Sequence, residues 1–300
     1  EKQLVKEIEQ RLKKVKLNTV LDYGCLSPFI DSDVASFFSA VGNTERPDTF
    51  ASKLLEGRVG VMVEGTPFAM YTPYLFTDNF SSLDDYDNPP FYSSFMRVLR
   101  YLSFIISLFL PGLYVAVGTF HQEAIPTNLL YIVAVSEATT PFHLMQEAIM
   151  IHLLYEIMRE AGLRLPKTIG HAVSIIGAIV IVEATVTAGI IGAPMLVVVA
   201  VTAMSSYVVY QLYESVAILR IIFIIVGGVS GIYGLMLCAG VLFVNACAIN
   251  PYGVPYSAPI SPLTKSSIGD TIFRLGWKNL AHRRVRILDL KGVASNDKGL

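Results

Sequence analysis

The chain has 300 residues, of which 53% are hydrophobic and 16% charged, against about 25% charged in soluble domains. A formal net charge of −1 argues against a nucleic-acid partner, which calls for a basic surface. No Walker loop, GxSxG or HExxH occurs, so the chain is read as no enzyme of those classes.

Charge is mixed to residue 98, sparse over 99–250 and basic again over 265–300. That order predicts three regions: a partial N-terminal cytoplasmic α/β domain with a membrane-proximal hairpin (1–92), a polytopic membrane domain (93–250) and a C-terminal cytoplasmic tail (251–300). The chain opens on Glu1 without an initiator Met or a signal peptide, and is expected to begin inside its first domain.

Leu4, Val5, Ile8, Leu12 and Val15 recur at helical spacing and predict an amphipathic helix over 2–17. A shorter helical pattern covers 27–42. NTERPD (43–48) reads as a polar connector, and 49–57 as a short helix ending near Gly57. Two β-rich runs flank Glu64-Gly65-Thr66 within 57–73 and predict a hairpin, which cannot close a core alone. The acidic, aromatic stretch 81–98 is expected at a membrane surface.

Residues 101–120 carry no charge and are long enough to cross a hydrocarbon core about 30 Å thick, with a kink at Pro111. A second span is predicted over 169–191, interrupted by Glu183, and a third over 193–213. The apolar run 216–248 is longer than one span needs; Gly227, Gly228 and Gly231 either break it or let a neighbour approach closely. In 141–165, His143, Gln146 and Glu147 project to one side of a helix and His152, Glu156, Arg159 and Glu160 to the other. A surface helix keeps its wet face constant, so this one is read as an oblique or re-entrant helix buried against protein. The fold class expected is an α-helical integral membrane protein with four to six membrane helices plus this amphipathic or re-entrant helix, and a small, truncated α/β N-terminal soluble domain. Arg97 and Arg100 before the first span, and His282, Arg283, Arg284, Arg286 and Lys291 after the last, put both ends on the cytoplasmic side.

Seven strings occur in order: NTERPD (43–48), LLEGRV (54–59), EGTPF (64–68), SSFMRVLRYL (93–102), FHQEAIPT (120–127), REAGLRLP (159–166) and GVPYSAP (253–259). Together, over residues 43–260, they resemble the A subunits of the GerA family of spore germination receptors. The resemblance implies a multi-pass protein of the inner membrane of the bacterial endospore. It implies two partners, an amino-acid-transporter-like B subunit that senses the nutrient and a lipoprotein C subunit. It further implies a homo-oligomer, a pentamer, whose ring opens on germination to release monovalent cations. No cofactor is implied. The chain departs from the family pattern in lacking the first part of the N-terminal domain, in carrying Glu183 where Gln is frequent, and in the segment SSYVVYQLYES (205–215).

On a helical projection of 172–190, Ile176, Ile179, Val180, Glu183 and Thr187 share one face, opposite a face of small residues. Aliphatic rings close a pore by dewetting and a ring of carboxylates favours cations, so this face is the candidate ion path. A carboxylate inside a membrane costs about 2.5–3.5 kcal/mol on insertion scales and should face water or a partner; the alternative is a protonated Glu183 hydrogen-bonded to a neighbouring helix. Glu147, Glu156, Arg159, Glu160 and Arg164 are candidate gating or subunit contacts, and could equally be local pairs worth about 0.2–0.5 kcal/mol each. His121, His143 and His152 fit no zinc spacing, and Cys25, Cys238 and Cys247 form neither a disulfide framework nor a metal motif, so no metal is expected. Two rival functions stand beside the channel: a secondary transporter, which calls for an internal repeat that the sequence does not display, and a non-conducting scaffold that assembles the B and C subunits.

Overall fold

The computed structural model describes residues 2–31, 36–166, 183–264, 270–276, 287–290 and 293. Most of the predicted second span, with Ile176, Ile179 and Val180, therefore lies outside the described residues. The described chain is mostly helical with one small three-stranded sheet. It divides into two compact units: Glu1–Tyr101 with Leu242–Leu300, and Leu102–Val241.

In the first unit, helix α1 (Lys2–Lys13) buries Leu4 and Ile8 and pairs Glu7 with Arg11 and Glu9 with Lys13 on its outer side. The helix expected over 27–42 is only one turn, α2 (Ser27–Ile30). Asp31 leaves helical geometry at ψ 125°, and its carboxylate accepts from the Ser39 hydroxyl at 2.6 Å and the Ala40 N–H at 3.3 Å.

The expected hairpin is present. Strands β2 (Val59–Met62) and β3 (Ala69–Thr72) pair antiparallel, Val59 opposite Thr72 and Met62 opposite Ala69. A third strand, β1 (Gly42–Thr44), begins inside the predicted connector and pairs with the other edge of β3, giving the order β1-β3-β2. Helix α3 (Pro47–Leu55) starts on a proline with Asp48 in its first turn, both favoured there. Leu26, Ile30 and Met70 form one core cluster. Leu75 forms another with Val254, Ala258, Ile287, Leu290 and Val293, and the Ile287 N–H donates to the Glu56 carbonyl at 3.0 Å.

Two buried ion-pair knots brace this unit. Arg58 grips Asp78 with both Nη atoms, at 2.5 and 3.0 Å, and Lys53 adds a third contact at 2.9 Å. Asp85 accepts from Arg97 Nε at 3.1 Å and from both Nη atoms of Arg100 at 2.7 and 2.9 Å. Burial pushes the Asp85 carboxyl up; the hydrogen bonds from Arg100, the Ser82 N–H and Arg97 overcome it and hold the group below its usual range. The two arginines read as topology signals are thus engaged inside the protein, and Arg97 is 0% exposed.

Helix α4 (Pro90–Phe120) starts well before the predicted span and contains Pro111. The second unit holds its latter part with α5 (Thr127–Thr139), which the sequence pattern did not predict, α6 (Leu144–Arg164), a helical turn at 183–187, α7 (Ala193–Val208) and much of α8 (Tyr213–Ala248). Val115, Leu144, Ala148, Ile151, Ile191 and Met195 lie in its core. Among the described residues, two helices are long and apolar enough to cross a membrane, Pro90–Phe120 and Tyr210–Ala248, while Ala193–Val208 is apolar but shorter.

The two outcomes left open for 216–248 both occur, at different glycines. Gly231 has φ 64° and ψ −155° inside α8, a conformation reserved for glycine, and breaks the helix. Gly227 and Gly112 let α8 and α4 touch backbone to backbone: a β-carbon on Gly227 would lie 2.5 Å from the Gly112 carbonyl oxygen.

Candidate functional site

Glu183 lies in the helical residues 183–187, and no acidic or basic side chain stands between His171 and it in the sequence. Its side chain is exposed, as is Thr187 one turn later. The Thr187 hydroxyl donates to the Glu183 carbonyl at 2.6 Å, as threonines do when a helix gives them no other acceptor. Two of the five residues expected on the ion path are thus described, and both stand on the protein surface.

The charged residues of α6 separate into three settings. Glu147 is buried, and its carboxylate accepts from the N–H of Gly192, the residue that caps the start of α7. A carboxylate suits a helix N-terminus because unpaired amide donors and the helix dipole converge there. Glu160 and Arg164 form an exposed i,i+4 pair at 2.8 Å. Glu156 and Arg159 turn inward to α8: the Tyr213 hydroxyl lies 2.7 Å from each Glu156 oxygen, and the Arg159 guanidinium stacks 3.4 Å above the Tyr213 ring and 3.5 Å from Glu156.

A residue that the sequence reading passed over completes this cluster. Arg220 of α8 is 1% exposed, donates to Ser206 Oγ at 2.6 Å and to the Ser107 carbonyl at 3.1 Å, and lies 3.9 Å from Glu156. His152, one turn before Glu156, is also buried; its Nδ1 pairs with the Ala148 carbonyl at 2.8 Å, and its Nε2 has no hydrogen-bond partner among the described residues. Glu147 and His152, expected on opposite sides of α6, are both buried, as a helix packed against protein on more than one side requires, and each has a partner in protein backbone. The signal for Arg220 was present in the sequence: a lone charge within AILRIIFIIV.

Fold and cluster together define a helical protein whose apolar helices are tied by buried charged and hydroxyl groups. The family model described as Bacillus/Clostridium GerA spore germination protein matches residues 1–286, and the chain belongs to that family, whose members are not enzymes. Spore germination protein KA of Bacillus subtilis (strain 168) is 41% identical over 279 residues, 92% of this chain and 51% of that protein. Spore germination protein GerLA of Bacillus cereus is 36% identical over 261 residues, 86% of this chain and 53% of that protein. The uncharacterized membrane protein YfkQ of Bacillus subtilis (strain 168) is 38% identical over 282 residues, 93% of this chain and 55% of that protein. The chain spans about half the length of these relatives. No solved structure matches it.

Proposed function

We propose that this chain is the larger part of an A subunit of a nutrient-sensing spore germination receptor, in which copies of the subunit surround a ligand-gated cation path. The partners are the B and C receptor subunits, the assembly is a pentamer, and the location is the endospore inner membrane with both ends of this region on the cytoplasmic side. The face formed by Ile176, Ile179, Val180, Glu183 and Thr187 lines the path.

The exposure of Glu183 carries this reading. A carboxylate at the end of an apolar span is costly in lipid and is stable against water or against another copy. A central ring of such carboxylates supplies both. Family membership supports the germination role, and the two span-length helices support the membrane setting.

Spores carrying Glu183→Lys should respond to germinant with slowed cation release, because a ring of cations repels the permeating ion. Val180→Ala should raise release without germinant by removing bulk from the constriction. Both are read as potassium efflux from purified spores with subunit levels checked by immunoblot. Native efflux from both variants would reject the conducting reading in favour of a scaffold.

A further inference from the structure

Pro111 lies inside α4. Proline has no backbone N–H, so the carbonyl four residues earlier, that of Ser107, lacks its regular helical donor. Arg220 takes that place: its Nε donates to the Ser107 carbonyl across a sequence separation of 113 residues. Through Nη2 the same guanidinium reaches Ser206 on α7, and Nη1 faces Glu156 on α6. One buried side chain of α8 therefore engages three other helices. The arrangement needs the planar fork of arginine, since the single ammonium of lysine cannot send donors in three fixed directions.

The backbone seam beside it fixes the reach. Arg220, Phe223 and Gly227 follow one face of α8. A β-carbon on Gly112 would lie 2.7 Å from the Phe223 carbonyl oxygen, and one on Gly227 2.5 Å from that of Gly112. The proline-vacated carbonyl thus lies beside a close backbone approach of α4 and α8. The loosest leg is Glu156. At 3.9 Å it is beyond hydrogen-bond distance from Arg220, while Arg159 stands at 3.5 Å on its other side. Both Glu156 oxygens lie 2.7 Å from the Tyr213 hydroxyl, so the firm legs of the arrangement are Ser107 and Ser206.

We propose that Pro111, Ser107 and Arg220 form a clamp that holds the helices of this unit in their resting arrangement. The clamp rests on the gated reading above for its role, and on the helix geometry for its existence.

The two parts are tested separately. Thermal melts of the full-length protein in detergent compare Pro111→Ala, Arg220→Met and the double variant. Pro111→Ala returns an N–H to the Ser107 carbonyl. It should raise the Tm of the Arg220→Met protein, where that carbonyl is orphaned, and give no such gain in the native background, where it competes with Arg220. Additive Tm shifts would overturn the clamp. Should Arg220→Met fail to fold, Arg220→Lys, which keeps a charge but not the planar fork, takes its place in the same comparison. Spores carrying Pro111→Ala or Arg220→Lys should release potassium without germinant several-fold faster than native spores. Coupled melts with native resting efflux would overturn the resting-state role. Resting efflux from clamp variants together with native efflux from Glu183→Lys would remove the conduction reading and leave the clamp standing.

Discussion

Asp78 shows how a single carboxylate can carry the stability of the first unit. Burial drives its pKa up, but the charges of Arg58 and Lys53 and their hydrogen bonds overcome that and hold it well below the usual range. An unpaired aspartate titrates near about 3.9. With the folded value depressed, the stabilisation is complete above about pH 4 and is lost as pH falls through the folded pKa. Asp78→Asn leaves Arg58 buried without its bidentate partner, which costs about 3–5 kcal/mol. Melts of both proteins from pH 7 to pH 2.5 should show the Tm gap narrowing below about pH 4, where the unfolded wild-type chain protonates Asp78 while the folded one keeps it ionised; a constant gap would show that the charge is not what matters. This knot was not legible in the sequence, since Arg58 and Asp78 are 20 positions apart. Glu183 was legible, as a charge where charge is costly. Arg220 gave the same signal, but one of its acceptors is a backbone carbonyl freed by Pro111, and no residue type marks such a group.

Among elements, α8 tests what glycine does in a long apolar helix. Its residues mark it as helical throughout, and its glycines left breaking and close packing as equal alternatives. The backbone assigns the break to Gly231. Gly231→Ala forces a β-carbon into a conformation that costs about 1–3 kcal/mol for other residues, and places it 3.1 Å from the His121 ring. Gly240 lies in the same helix with nothing within 4 Å of its would-be β-carbon. Gly240→Ala should therefore be neutral or stabilising by up to about 1 kcal/mol. Equal Tm shifts for the two variants in detergent would show that Gly231 adopts an ordinary helical conformation. The hairpin, by contrast, was readable because two β-rich runs bracket a glycine turn. Strand β1 was not, because Gly42 and Asn43 are poor strand formers and Thr44 alone gives no pattern; the three become a strand by pairing with β3.

At the scale of the whole molecule, the chain returns to where it began. Composition separates a charged start, an apolar middle and a basic end, and local pattern has no means of showing that the end packs into the start. The described part of the tail supplies Val254, Ala258, Ile287, Leu290 and Val293 to the cluster around Leu75, while the second unit draws its core from 102–241. Leu290 is buried, so Leu290→Ala should cost about 2–5 kcal/mol. The loss should be confined to one unit. Hydrogen exchange of the full-length protein should show faster exchange at β2, β3 and Phe76, whose N–H donates to the tail carbonyl of Tyr256, and native rates across α6 and α7. Units with separate cores open separately, each with its own free energy. If the amides of α6 and α7 lost protection together with those of β3, the loss would not be local to the first unit and the expectation of separate opening would fail.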